Sequence, residues 1–169
     1  MTSTTANQYE LRISRTFDVP RDLMFRVWTE AEHLGKWWGP KGIPLQVHSL
    51  DVRPGGHFHY TMHLPNGDIW WGLFLYEEVA APERLIFTSS FSDPDRNLTR
   101  PPFSPTFPLR LRNTYTFTEA DGRTTVALHA VPVDATPEER EAFAGMQSSM
   151  HQGYNGTLDQ LAEYLTTLT

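Results

Sequence analysis

The chain has 169 residues, a length typical of one domain, and it contains no cysteine, which excludes disulfide bonds and thiolate chemistry. Its net charge of −6, without a dense basic stretch, argues against a nucleic-acid partner, because such proteins usually carry a basic face. No apolar run approaches the ~20 residues of a membrane span, and the polar segment 1–8 lacks the apolar core of a signal peptide. We therefore expect a cytoplasmic protein with one domain over residues 9–168 and a flexible N-terminus over residues 1–8.

The first part of the chain is predicted to form one strand and two short helices. Apolar and polar residues alternate over 9–18, which indicates a half-buried strand. Apolar residues spaced three and four apart then indicate a helix that starts near Pro20, a residue favoured in the first helical turn. Thr29 and Glu32 form the pattern of a capping box, which predicts a second short helix that ends near Trp38.

Residues 45–131 are predicted to contribute six further strands. These cover 45–52, 57–64, 69–79, 85–91, 109–118 and 124–131. Asn66-Gly67 and Asp121-Gly122 are typical of tight hairpin turns. Such short connections favour antiparallel neighbours.

A proline-rich segment, residues 92–108, interrupts this series of strands. It contains five prolines together with Phe103 and Phe107. A loop of this length in a compact domain is often a lid or a binding loop. The alternative is a tolerated insertion that its phenylalanines hold in place.

The C-terminal part of the chain is predicted to be helical. Thr136 is a favoured N-cap residue, and Pro137 follows it at the first helical position. An apolar stripe at spacings of three and four then extends from Phe143 to Leu168, and Gly145 predicts a break into a short and a long helix. Such a helix must bury its stripe against the sheet. The sequence therefore predicts an α+β helix-grip fold, with a curved antiparallel sheet of six to seven strands around a long C-terminal α-helix.

Four stretches resemble the START-like (SRPBCC) superfamily, in particular homologues of the activator of the 90-kDa heat-shock-protein ATPase. They are residues 17–21 (FDVPR), 29–40 (TEAEHLGKWWGP), 51–58 (DVRPGGHF) and 153–165 (GYNGTLDQLAEYL). The likeness covers about residues 9–168. Two departures are Tyr154, where the family commonly has Trp, and the long proline-rich segment. The resemblance implies the helix-grip fold and binding of an apolar small molecule in a central cavity, but no single function, since relatives resemble lipid carriers, cyclases, receptors and co-chaperones.

An excess of aromatic side chains, including five Trp, is consistent with such a cavity. On the strand 69–79 the alternation allows either Trp71, or Trp70 with Phe74, to face inward. Met side chains on the helix adapt to varied ligand shapes. The candidate ligand-binding residues are Trp37, Trp38, Phe58, Tyr60, Met62, Trp71, Phe74, Phe87, Phe91, Leu111, Asn113, Tyr115, Met146, Met150 and Tyr154. The alternative is that these side chains form an ordinary core.

Three histidines, His57, His59 and His63, alternate with the inward residues of their strand and are predicted to lie on a solvated face. His57 and His59 are close enough to share a metal, but a third ligand is not evident, so we predict no metal site. Ser148 lies three residues before His151, but no orienting acid accompanies them. We accordingly predict no catalytic set and no cofactor.

Two alternatives to simple ligand binding remain open. The first is a cyclase- or hydrolase-like enzyme that acts on an apolar substrate through Tyr154, Asn113 or a pocket histidine, with Tyr115 as a further inward candidate. The second is a chaperone-regulating or stress-related interaction protein, or a homodimer formed through one face of the strand 69–79.

Overall fold

The computed structural model describes residues 8–40 and 42–169, so segment 1–7 of the predicted flexible N-terminus lies outside the described residues. In these two ranges the chain forms eight strands and four helices. The strands are β1 (Leu11–Phe17), β2 (Leu45–Leu50), β3 (His57–His63), β4 (Ile69–Ala80), β5 (Arg84–Ser92), β6 (Leu98–Thr99), β7 (Leu111–Ala120) and β8 (Arg123–Pro132). The helices are α1 (Arg21–Thr29), α2 (Ala31–Trp37), α3 (Pro137–Gly145) and α4 (Gln147–Thr166).

The sheet is antiparallel throughout, with the strand order β1-β8-β7-β5-β4-β3-β2, and the short β6 pairs with β5. The curved sheet of this main path confirms the predicted six to seven strands, and β6 lies within the proline-rich segment. Hairpin connections explain most neighbours. At one edge of the sheet, β1 pairs with β8, so the first and last strands of the chain are neighbours.

Helix α4 packs its apolar stripe against the inner face of the sheet, as the helix-grip prediction requires. Leu158, Leu161 and Leu165 are buried on this helix. The predicted break is confirmed, since α3 ends at Gly145 and Met146 separates it from α4. The predicted cap is also confirmed, because the Glu139 backbone N–H donates to Thr136 Oγ1 at 3.1 Å.

The capping box predicted at Thr29 is wrong. Helix α1 extends to Thr29, whose hydroxyl donates to the Phe25 carbonyl at 2.8 Å, one turn earlier in the same helix. Glu30 is the N-cap of α2 and makes no side-chain capping bond. The Thr29 hydroxyl therefore donates to the Phe25 carbonyl in α1 instead of accepting from the backbone N–H of Glu32 in α2.

Among the helices that the structure describes, none combines the length and the apolar character that crossing a bilayer would require.

Candidate functional site

A pocket of about 300 Å³ lies between the inner face of the sheet, the first turns of α4 and the proline-rich segment. The sheet supplies its wall because alternate residues of each strand face the same side. Neighbouring strands align these inward positions in register, for example Met62 beside Trp70 and Phe87 beside Asn113. The cavity is thus a direct product of strand pairing and of a helix that covers only part of the sheet.

Most of the side chains predicted to form the pocket wall do line it. They are Trp38, Tyr60, Met62, Phe74, Phe87, Phe91, Leu111, Asn113, Tyr115, Met150 and Tyr154. Their role in ligand binding stays a prediction.

Four predicted pocket residues lie elsewhere. Trp37 is core, and its indole N–H donates to the Val27 carbonyl at 3.0 Å. Phe58 has the predicted parity but is fully buried against Tyr60 and Phe74. Met146 caps α4 and is not part of the lining, and Trp71 lies on the opposite face of the sheet, against His48 and His59.

The correction at Trp71 follows from the register of β4. Tyr60 pairs with Gly72 and Met62 with Trp70, so Trp70, Gly72 and Phe74 share the inner face. Trp70 accordingly lines the pocket, as one of the two predicted parities required. Sequence alternation could not choose between the parities because both faces of this strand are apolar.

The proline-rich segment closes one side of the pocket with Phe103, Phe107 and Pro108. Phe103 packs against Trp70 and Phe91, with ring centroids 6.1 and 5.8 Å apart. The Arg100 guanidinium holds the segment by donating to the Phe107 carbonyl at 2.7 Å and by an ion pair with Glu139. The segment is therefore anchored to both the sheet and α3, and half of the Phe103 side chain (47 %) stays exposed at the pocket edge.

Gly72 makes room for the ring of Tyr60. A Cβ atom at this position would come within 2.3 Å of Tyr60 Cζ and 2.5 Å of its hydroxyl oxygen. A glycine inside a strand often marks such a close approach. Between Trp70 and Phe74, β4 therefore contributes no side chain to the wall, and the Tyr60 ring occupies that space.

The polar groups of the pocket include a hydrogen-bonded pair formed by Asn113, which is buried, and Ser89. Asn113 Nδ2 donates to Ser89 Oγ at 2.9 Å and to the carbonyls of Phe87 and Leu111 at 3.3 and 3.2 Å. Asn113 Oδ1 has no hydrogen-bond partner. Ser89 itself lines the pocket and is partly exposed, although it was not among the predicted pocket residues.

Three tyrosines also line the pocket, and burial keeps them protonated. Desolvation raises the pKa of Tyr60 to about 12, which a hydrogen bond from Trp38 partly opposes. Burial also raises the pKa of Tyr115 and of Tyr154 well above the ordinary phenol value. In the described part of the chain, the lining contains no Asp, Glu, Lys, Arg or His. The pocket is therefore uncharged at neutral pH.

The histidine face on the other side of the sheet is not solvated as predicted. His59 is only 4 % exposed, and its Nε2 lies 3.1 Å from Ser92 Oγ. Burial lowers the pKa of His59. His48 of β2, which was not among the three predicted histidines, has its ring centroid 6.2 Å from that of His59. The start of the proline-rich segment and the neighbouring strands thus cover the centre of this face.

His57 does not contact His59 as the considered metal pairing would require. Its Nε2 lies 2.7 Å from Ser49 Oγ, and Arg96 approaches the same ring at 3.0 Å. A cationic neighbour disfavours a metal ion, which is consistent with the prediction that this face is not a metal site.

Elsewhere, Glu30, Glu32 and His33 bring potential ligand atoms within 4.8 Å of one another. Glu30 already forms an ion pair with Arg26 at 3.3 Å, and it lies 3.4 Å from His33 Nε2. These contacts account for the cluster, and we assign no metal to it.

Together, the fold and the pocket define a helix-grip protein with an apolar, uncharged pocket. The chain belongs to the family described as activator of Hsp90 ATPase homolog 1-like protein, whose model matches residues 18–166. This result confirms the resemblance noted from the four sequence stretches. No curated protein matches the chain.

Solved structures support the same fold. A Mycobacterium smegmatis protein is 28% identical to this chain, and the alignment covers 94% of this chain and 91% of that protein, with a TM-score of 0.76. A Nitrosomonas europaea protein is 29% identical over 95% of this chain and 96% of its own, with a TM-score of 0.71. DynU16, a protein of the dynemicin biosynthetic locus, is 16% identical over 94% of this chain and 48% of its own, with a TM-score of 0.66. At this identity the likeness to DynU16 concerns the fold alone.

Proposed function

We propose that this protein binds an uncharged aromatic or apolar small molecule in the pocket between the sheet and α4. The observation that carries the proposal is a cavity of about 300 Å³ whose lining has no charged side chain in the described ranges. Concave apolar sites with a few polar groups are typical of small-molecule binding. The family membership supports the proposal, because the resemblance implies a habit of binding apolar molecules.

The dimensions of the pocket indicate the size of the ligand. An engineered apolar cavity of about 150 Å³ holds one benzene molecule. A cavity of twice that volume suits a molecule of two or three fused rings. Phe74 and Phe87 stack at 4.1 Å, and Phe87 and Tyr115 lie within 13° of parallel, so this part of the wall is a row of nearly parallel rings.

The enzyme alternative finds less support in the pocket. General acid–base chemistry at neutral pH needs a group whose pKa is near 7. The titratable side chains that line the pocket within the described ranges are Tyr60, Tyr115 and Tyr154, and burial raises the pKa of each. We therefore propose binding without chemistry.

The alternative of an interaction protein rests on the outer face of β4. Ile69 and Leu75 are 52 % and 40 % exposed there, whereas Leu73 is buried. Two separated exposed side chains are common on protein surfaces. They do not favour a partner over the pocket as the main functional feature.

Fluorene, a neutral tricyclic hydrocarbon, is a suitable probe for a titration followed by intrinsic tryptophan fluorescence. Trp38 and Trp70 line the pocket, so a bound ring system should change their emission. At a free ligand concentration of ten times Kd, the expected stabilisation is about 1.4 kcal/mol, or roughly 3–6 °C in Tm. The proposal would be refuted if a panel of such bicyclic and tricyclic compounds caused no fluorescence change and no Tm shift.

A matched pair of variants connects the signal to the pocket. Gly153 lines the pocket and has open space beside it, whereas Gly145 has equal space but lies outside the lining. Gly153→Phe should block fluorene binding, and Gly145→Phe should leave it unchanged. Equal loss in both variants would mean that the probe binds elsewhere.

A further inference from the structure

We propose that the ligand carries a hydrogen-bond acceptor oxygen, such as a ketone carbonyl on an aromatic ring system, and that Ser89 donates to it. This inference rests on the proposed function and adds the chemical class of the ligand and a residue that determines specificity.

Ser89 has an unusual position on β5. Its neighbours on the same face of the strand are Phe87 and Phe91, and its partners across the sheet are Phe74 and Leu111. All four of these apolar side chains line the pocket. The Ser89 hydroxyl is therefore a polar group among apolar side chains, and Ser89 is partly exposed and lines the cavity.

Asn113 determines whether the Ser89 hydroxyl oxygen acts as a hydrogen-bond acceptor within the protein. Asn113 is 1 % exposed, and its Nδ2 donates to the backbone carbonyls of Phe87 and Leu111. Because carbonyl oxygens only accept, the amide nitrogen must point toward them, and the reversed amide would place Oδ1 against two carbonyls. With this orientation fixed, Nδ2 also donates to Ser89 Oγ at 2.9 Å.

The Ser89 oxygen is thus already an acceptor, and its proton is directed elsewhere. Across residues 8–40 and 42–169, the structure gives that proton no acceptor. When a ligand displaces water from this hydroxyl, binding becomes less favourable unless the ligand accepts the hydrogen bond. A carbonyl oxygen meets this requirement, and a hydrocarbon does not.

The rest of the lining supports a neutral acceptor. The hydroxyls of Tyr115 and Tyr154 have no hydrogen-bond acceptor among the residues that the structure describes, and their raised pKa keeps them as donors. A carboxylate ligand would find no cation in the lining. A ligand with a carbonyl or similar oxygen matches this excess of donors.

Fluorene and fluorenone test the inference, because they share a flat tricyclic shape and differ by one carbonyl oxygen. We measure Kd for both with the wild-type protein, Ser89→Ala and Ser14→Ala. Ser14 is the matched control, since it is also a strand serine, is exposed on β1 and lies outside the pocket lining. Ser89→Ala leaves Asn113 two carbonyl acceptors and should fold, which circular dichroism checks.

The expected result is that Ser89→Ala weakens fluorenone binding by about 3- to 10-fold, the effect of one net hydrogen bond. Fluorene binding should stay within about twofold, and Ser14→Ala should change the binding of neither compound. If Ser89→Ala leaves the fluorenone-to-fluorene ratio unchanged, or if only Tyr115→Phe or Tyr154→Phe removes the preference, the assignment to Ser89 is wrong while the proposed function stands. If neither compound binds the wild-type protein, the proposed function itself fails for this ligand class, and this inference fails with it.

Discussion

Replacing Gly72 by alanine is the most direct perturbation of the pocket wall. The added Cβ would lie 2.3 Å from Tyr60 Cζ, 2.5 Å from its hydroxyl oxygen and 2.7 Å from Cε2. Carbon atoms pack best at about 3.5–4.0 Å. The Tyr60 ring must therefore move away from β4 by about 1–1.5 Å, toward the cavity.

The energetic consequence follows from two opposing effects. Overpacking a well-packed site costs about 1–3 kcal/mol. Removing a glycine stabilises the folded state by about 0.4–1 kcal/mol, because the unfolded chain loses freedom. The expected net loss is about 1–2 kcal/mol in the free energy of unfolding, or roughly 2–8 °C in Tm.

Ligand binding should report the same displacement. With the Tyr60 ring moved into the cavity, we expect Gly72→Ala to weaken fluorene binding by about tenfold, which corresponds to about 1.4 kcal/mol. Thermal unfolding and fluorescence titration measure the two effects separately. Tyr60→Leu in the same chain removes the ring and should recover part of the lost stability, a coupling that a double-mutant cycle quantifies.

The reasoning would be refuted if Gly72→Ala changed Tm by less than 1 °C and fluorene affinity by less than about twofold. The contact between Tyr60 and Gly72 would then not limit the pocket. The proposed clash would also be contradicted if Gly72→Ala lowered stability as much in the Tyr60→Leu background as in the wild-type protein, because the clash requires the Tyr60 ring.

Three further predictions address the helix, its cap and the buried histidine. Gly153→Ala and Gly156→Ala both have open space in α4 and should each raise the free energy of unfolding by up to about 1 kcal/mol in urea titrations, but only Gly153→Ala should change ligand affinity. Thr136→Ala removes the cap of α3 and should lower the free energy of unfolding by about 1 kcal/mol, whereas no change in Tm would contradict the capping role. Burial lowers the pKa of His59 below 6.5, so the folded state binds fewer protons than the unfolded one, and stability should be full above pH 6.5 and fall as the pH decreases. Urea unfolding at several pH values should show a shallower fall in His59→Gln, and an equal slope would assign the effect to other groups.

The sequence alone was sufficient for the architecture of this protein. Period-two alternation located the seven strands of the main path, although not the short β6, and spacings of three and four located the helices, since each pattern reflects a local geometry of the backbone. The inward face of β3 was also predicted correctly at Tyr60 and Met62, because its other face carries histidines and a threonine. A sharp contrast between the two faces of a strand makes its orientation readable without a structure.

The tertiary structure decided what periodicity leaves open. Both faces of β4 are apolar, so only its register with β3 placed Trp70 inside and Trp71 outside. Phe58 has the right parity but lies too deep, because depth depends on which layer packs over a face and not on alternation. The Ser89–Asn113 pair joins residues 24 positions apart, and it became visible only once β5 and β7 were aligned. Local sequence patterns specify which side a residue faces, whereas the shape and polarity of the pocket arise from contacts between distant strands.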